Sequence, residues 1–240
     1  VTTSESHIEG KVWGIGDVAL ALLAVVVGAV VILAPAAGVA AVLARGTQLE
    51  EHEGAMAALL GGNIAVEALL LLLPLWVVMR RGHKATSLGW RWPRRAGIWA
   101  GIGALTAAYA ILGVYGVIVQ ALGLDELQPK SAFPEVVFER PVLIALVGVM
   151  VLALAPIAEE TFFRGFVFGG LRRRWGIVWA ALASGVLFGL MHLQAGAIVP
   201  FTAIGVVFAL AYSYTGSLLP SIWAHLAFNS VSFGVLVASS

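Results

Sequence analysis

The chain has 240 residues, of which 60% are hydrophobic and 11% charged, with a formal net charge of +1 and no cysteine. Soluble domains carry roughly 25% charged residues, so a water-soluble globule is excluded, as are a disulfide framework, a thiolate metal site and a cysteine nucleophile. The near-neutral charge balance, with no long solvated basic face, gives no reason to expect nucleic acid as a partner.

In chain order, apolar windows between charge clusters predict seven spans, at approximately 18–44, 55–79, 97–122, 141–171, 176–193, 196–214 and 218–238. Most approach or exceed the roughly 20 residues that a helix needs to cross a bilayer. The first run is too long for a signal-peptide core and lacks a clear cleavage site. Very short turns separate the last three spans, which leaves six or eight open. The expected fold is all-α: a polytopic transmembrane helix bundle of about seven spans, forming one integral-membrane domain over residues 1–240. No internal repeat, low-complexity tail or soluble domain interrupts it.

The loops divide by charge. The segment from Arg80 to Arg95 carries Arg80, Arg81, Lys84, Arg91, Arg94 and Arg95 and no acid, and Arg172, Arg173 and Arg174 form the next basic cluster. In contrast, 45–54 contains Glu50, Glu51 and Glu53, and 123–140 contains Asp125, Glu126, Glu135 and Glu139. Cytoplasmic loops are enriched in lysine and arginine. Two predicted spans separate the basic clusters, so one orientation satisfies both, with the N-terminus cytoplasmic and the C-terminus outside. The tryptophans among the arginines of "SLGWRWPRR" (Ser87–Arg95) read as interfacial anchors against the lipid bilayer rather than as a nucleic-acid surface.

Charged groups inside a bilayer cost about 2.5–3.5 kcal/mol each on insertion scales, so those in the late spans stand out: Glu159, Glu160, Arg164, His192 and His225, with Asn229 four residues after His225 on the same helix face. Glu160 and Arg164 are spaced i and i+4, acid first, and can pair within one helix. A purely structural ion pair is an equally good reading of them. Glu159, turned about 100° around the helix, has no partner in its own span and must look to other helices or a wet cavity. Pro156 lacks an N–H and can kink the helix there. At 1.5 Å per residue, Glu159 lies roughly 20 Å from Arg172, His192 roughly 25 Å from Trp175, and His225 and Asn229 roughly 11 and 17 Å from Leu218. All of these depths fall within a hydrocarbon layer of about 30 Å. Glu67, alone in the second span, reads as a partner for that site, a protonated core acid or a residue facing a polar groove. Gly165 and Gly169, and Gly185 and Gly189, are four apart and would let the fourth and fifth helices approach closely.

One carboxylate with two imidazoles and an amide suits activation of water: an acid–base pair takes its proton, and the other groups donate to the oxygen that becomes negative. The same groups, Glu159, His192 and His225, can instead be read as a zinc set, although no HExxH helix is present. A serine nucleophile is not indicated, since no G-x-S-x-G occurs.

Glu159-Glu160-x-x-x-Arg164, Phe188-x-x-x-His192 and His225-x-x-x-Asn229, in that order on late helices, resemble the three motifs of the CPBP intramembrane proteases, the CAAX protease and bacteriocin-processing or Abi family. The motif-bearing part covers about 140–235, and the Leu88-Gly89 loop is typical of bacterial members. The resemblance implies an intramembrane endopeptidase in a bacterial or archaeal plasma membrane, its cavity opening toward the cytoplasm. Its substrate would be a peptide or membrane protein: a prenylated tail, a leader peptide or a pheromone precursor. By that resemblance Glu159 is the general base, assisted by His192; His225 and Asn229 stabilise the oxyanion; and Glu160 and Arg164 support the motif. The preferred mechanism requires no cofactor, while zinc stays open because the family is also labelled metalloprotease. Competing expectations are a non-catalytic scaffold or subunit of a larger membrane complex, and a proton-coupled transporter, which would need broken helices in paired halves that the sequence does not display.

Overall fold

In lipid every backbone N–H and C=O must be satisfied within the segment, which leaves helices as the economical solution for a chain this apolar. The computed structural model describes residues 13–93, 96–131 and 133–239, and these form helices and short connecting turns, with no strand among the described residues. The long helices are α1 (Ile15–Leu43), α2 (Glu53–Arg80), α3 (Gly97–Ala121), a run that begins with α4 (Pro141–Val149) and α5 (Ala155–Glu159) and continues into α6 (Gly169–Met191), then α7 (Ala195–Thr215) and α8 (Leu219–Ser239). Their boundaries lie within a few residues of the predicted spans. Local caps set several of them: His52 Nδ1 accepts from the Ala55 N–H at 3.2 Å at the start of α2, and Ser217 Oγ accepts from the Leu219 N–H at 3.2 Å at the start of α8.

Among the described residues six helical segments are long and apolar enough to cross a membrane, one fewer than the expected seven. The difference lies in the fourth, Pro141–Met191, which is 51 residues long. Straight, it would measure about 77 Å, far more than a hydrocarbon layer of about 30 Å. It is not straight. Gly176 has φ 74° and ψ 175°, a backbone conformation open to glycine and costly for other residues. Beyond it the chain doubles back, so that Ser184 Oγ donates to the Phe163 carbonyl at 2.9 Å and Phe163 meets Phe188 edge to face at 5.4 Å. The two limbs of this hairpin are the fourth and fifth predicted spans. The second limb, from Ile177 to Met191, is only about 22 Å long.

The basic clusters and the acidic segments read from the sequence lie at opposite ends of the bundle, each with a few residues of the other sign. At one end His83, Ser87, Arg172 and Arg173 share a small pocket with Trp13 and Tyr212, Asp17 pairs with Arg81, and Arg91 Nε donates to the Gly216 carbonyl at 2.6 Å. The "SLGWRWPRR" segment is thus tied to the turn before α8 in addition to presenting Trp92 at the surface; Arg94 and Arg95 lie outside the described residues. At the other end Arg140 faces Glu53 at 3.9 Å, and the Lys130 N–H donates to Gln194 Oε1 at 3.2 Å. The core nearer the basic end is aromatic: Phe162, Phe163, Phe166 and Phe168 are all buried, and Trp13 stacks on Phe166 at 5.9 Å. Leu20, Val27 and Val31 on α1 are exposed, as lipid-facing side chains should be.

The four glycines serve different neighbours from those expected. A Cβ on Gly185 would lie 2.6 Å from the Thr202 carbonyl, and one on Gly189 would lie 2.5 Å from both the Ile198 carbonyl and Thr202 Oγ1. Both therefore seat α6 against α7. Gly165 instead abuts the Leu88 carbonyl and Gly169 abuts Trp13, so neither mediates the contact between the fourth and fifth spans. Spacing alone flagged close approach but could not say to what. Gly189→Val should destabilise the detergent-solubilised protein by about 1–3 kcal/mol through overpacking, seen as a lowered thermal midpoint, while the same change at Gly103, which has open space around it, should leave the midpoint nearly unmoved.

Candidate active site

The segment that carries the two glutamates is not a regular α-helix. Met150–Leu154 and Glu160–Phe168 are wide, i→i+5 turns on either side of the short α5. Such widened turns appear frequently at functional sites because they rotate side chains out of α-helical register. Pro156 thus sits between widened turns, in place of the simple proline kink expected from the sequence.

Glu160 and Arg164 are both fully buried, and Glu160 Oε1 lies 2.9 Å from Arg164 Nη1. The guanidinium is enclosed by rings, 4.3 Å from the Phe188 centroid and 5.4 Å from that of Phe208, and its Nη2 donates to the Gly205 carbonyl at 3.4 Å. The expected ion pair is therefore present, and Arg164 points into the core. Glu160 has a second partner that spacing within one helix could not reveal: its Oε1 is 3.1 Å from His225 Nδ1 on α8. With Nδ1–H given to Glu160, the imidazole presents Nε2 toward Glu159, whose Oε2 is 3.8 Å away. That oxygen is buried and has no hydrogen-bond partner.

His192 lies just beyond the last turn of α6, with Nδ1 2.9 Å from the Phe188 carbonyl and its ring edge-on to Phe188 and Phe201 at 4.9 and 4.4 Å. Nδ1 must carry the proton to donate to a carbonyl, so Nε2 holds the lone pair. The i, i+4 spacing of the second motif thus has a physical meaning: Phe188 supplies both the carbonyl that orients the histidine and a face for Arg164.

Asn229 donates from Nδ2 to the Val151 carbonyl at 2.9 Å. In the widened turn the Ala155 N–H bonds to the Met150 carbonyl, five residues back. The next amide in that ladder would come from residue 156 and reach Val151, but Pro156 has no N–H. Asn229 fills the missing bond and ties α8 to the helix that carries Glu159. One of its two amide hydrogens is spent this way, which leaves one for another acceptor.

Glu159, His192, His225 and Asn229 line a single cavity of about 1320 Å³. Glu67 lines it too, from α2, with Asn63 one turn away on the same face. Glu67 Oε2 is also buried without a hydrogen-bond partner. Of its three sequence readings, that of a partner for the site agrees with its place on the wall of the same cavity. Asn63 was missed; its i, i+4 relation to Glu67 was the available signal. As a zinc set, the side chains do not fit: among the described residues no group of three or more His, Cys, Asp or Glu side chains is arranged to hold a metal ion. If Asn229 completes the ladder broken by Pro156, Pro156→Ala should relieve that dependence by restoring an N–H. A double-mutant cycle of Pro156→Ala with Asn229→Ala should show coupling of about 1 kcal/mol in unfolding free energy, and strict additivity would contradict the assignment.

Comparison with known proteins adds one match. Residues 141–231 fit the family model described as Type II CAAX prenyl endopeptidase Rce1-like. No curated protein and no solved structure gives a significant match. The matched segment starts at α4 and ends within α8, and so contains every motif residue of the cavity. The match covers less than half of the chain and agrees with the resemblance that the three motifs carry.

Proposed function

We propose that the protein is an intramembrane endopeptidase that hydrolyses a peptide bond of a membrane-associated substrate, with Glu159 as general base. The observation that carries this reading is the state of Glu159: a buried carboxylate on the rim of a large cavity, its Oε2 unbonded and 3.8 Å from His225 Nε2. An uncompensated carboxylate is expensive at this depth, and a structural role gives it nothing in return. The family match supports a protease in general terms.

In this reading Glu159 takes a proton from water held in the cavity, assisted by the lone pair on His192 Nε2, and the water oxygen bonds to the amide carbon. The carbonyl oxygen becomes negative and is met by donors preorganised for it. Asn229 offers its remaining amide hydrogen. His225 can donate from Nε2 only when both of its nitrogens are protonated, a charge that the Glu160 carboxylate would balance. Collapse of the tetrahedral species breaks the C–N bond, and the proton held by Glu159 passes to the leaving nitrogen. Glu160 and Arg164 act through His225 by fixing its ring. The apolar walls of the cavity suit an apolar segment of a membrane-associated chain, which is the substrate chemistry proposed.

Replacing Glu159 with Gln keeps the shape and removes the base, so cleavage of an apolar, membrane-anchored peptide reporter in nanodiscs, where both faces are accessible, should fall by about 10²–10⁴-fold with no loss of folded protein. Retained cleavage would remove Glu159 from the role. Because no three-ligand set is gathered, activity should survive exhaustive chelation and dialysis. A loss restored by added zinc would overturn the metal-free mechanism.

A further inference from the structure

The cavity has a mouth, and it lies at the end of the bundle that carries the acidic segments. The lining residues that lie in the connections between the long helices are Leu49 and Glu50 after α1, Phe133 and Pro134 before α4, and His192 and Leu193 between α6 and α7. All belong to the end that carries Glu51, Glu53, Glu135 and Glu139. From the basic end, which gathers Arg80, Arg81, Lys84, Arg91 and Arg172–Arg174, no described residue lines the cavity. On that side the direct route is filled by the buried Phe162, Phe166 and Phe168, with Leu88, Leu218 and Tyr212 around them. The groove that reaches toward Arg174 and shares Leu22 and Leu187 with the cavity wall is otherwise lined by apolar side chains, a path for lipid rather than for water. Leu193 at the mouth is 92% exposed. Along one flank Val26 and Val30 of α1 line the cavity while being more than 60% exposed, so an apolar segment can lie against the wall without leaving the lipid. Water has no such lateral route through hydrocarbon and must arrive from the acidic end.

Lysine and arginine bias places the basic end in the cytoplasm. Taken with the position of the mouth, we propose that the site is supplied from the non-cytoplasmic face, and that its substrate is a segment of an exported or membrane-anchored chain presented there, rather than a tail offered from the cytoplasm. The substrate part of this statement rests on the proteolytic reading; the side of access does not.

The 240-residue chain has no cysteine, so single cysteines can be placed in it and probed with a charged, membrane-impermeant thiol reagent in intact cells. Leu193→Cys at the mouth and Asn63→Cys inside the cavity should label fully, and Lys84→Cys at the basic end only after permeabilisation. Ser131→Cys, exposed in the loop before α4, reports the same face if Leu193→Cys accumulates poorly. Labelling of Lys84→Cys in intact cells would overturn the proposal, as would an Asn63→Cys that reacts only from the Lys84 side. In the same cells, new protein termini that depend on intact Glu159, compared with Glu159→Gln, should map to non-cytoplasmic segments. Termini confined to cytoplasmic tails would overturn the substrate class. A complete absence of new termini would count against proteolysis itself and leave the labelling to decide the side of access.

Discussion

The arrangement of the site depends on one buried charge balance. Arg164 is wholly enclosed, and a buried cation is tolerable only when paired and solvated by the protein itself. Glu160 supplies the countercharge at 2.9 Å, the Gly205 carbonyl accepts a hydrogen bond, and the faces of Phe188 and Phe208 add cation–π attraction, each worth about 0.5–2 kcal/mol. Those partners come from different helices, so the guanidinium holds the Glu160 helix, α6 and α7 in mutual register. Removing one partner of such a pair costs about 3–5 kcal/mol because the other is left uncompensated. The same Glu160 oxygen also lies 3.1 Å from His225 Nδ1, which extends the register to α8.

Geometry in that register turns an ion pair into an orienting device. Glu160 holds His225 as a carboxylate holds an imidazole in a hydrolytic triad, which leaves Nε2 to face Glu159. Asn229, one turn further along α8, anchors the same helix to Val151, whose carbonyl Pro156 cannot satisfy. The proline and the asparagine are thus complementary parts of one feature: the first frees a carbonyl in the helix before Glu159, and the second binds it from the helix that carries His225.

Much of this was legible in the sequence. The span boundaries followed from hydropathy, and the separation of Glu159 from Glu160 followed from helical angles alone, since one has an i+4 partner in Arg164 and the other has none. The common cavity was anticipated from depth counted at 1.5 Å per residue. Other features were not legible, for identifiable reasons. The contact between Glu160 and His225 joins residues 65 apart, and no local period encodes it. The role of Asn229 toward Val151 depends on an i→i+5 ladder, which a 3.6-residue reading does not foresee. The break at Gly176 was legible as well, since the Arg172–Arg174 cluster separates the fourth and fifth predicted spans, and only its left-handed φ was not. The cavity mouth depends on which loops leave space between them, a property of tertiary packing and not of any one segment.

Glu67 and Glu159 show why the cavity must be wet. Each has a buried carboxylate oxygen without a hydrogen-bond partner, and both line the same space. In a dry apolar cavity two such groups would each forfeit the hydrogen bonds they make in water, a penalty of about 1–3 kcal/mol or more per group, for no structural return. Water that enters from the acidic end removes the penalty, since a polar and roomy cavity holds waters that bridge otherwise unsatisfied groups. On the proposed reading of Glu159 as general base, the arrangement that makes two carboxyl groups tolerable within the membrane is also the one that brings it the water to be activated, so stability and the proposed chemistry call for the same water.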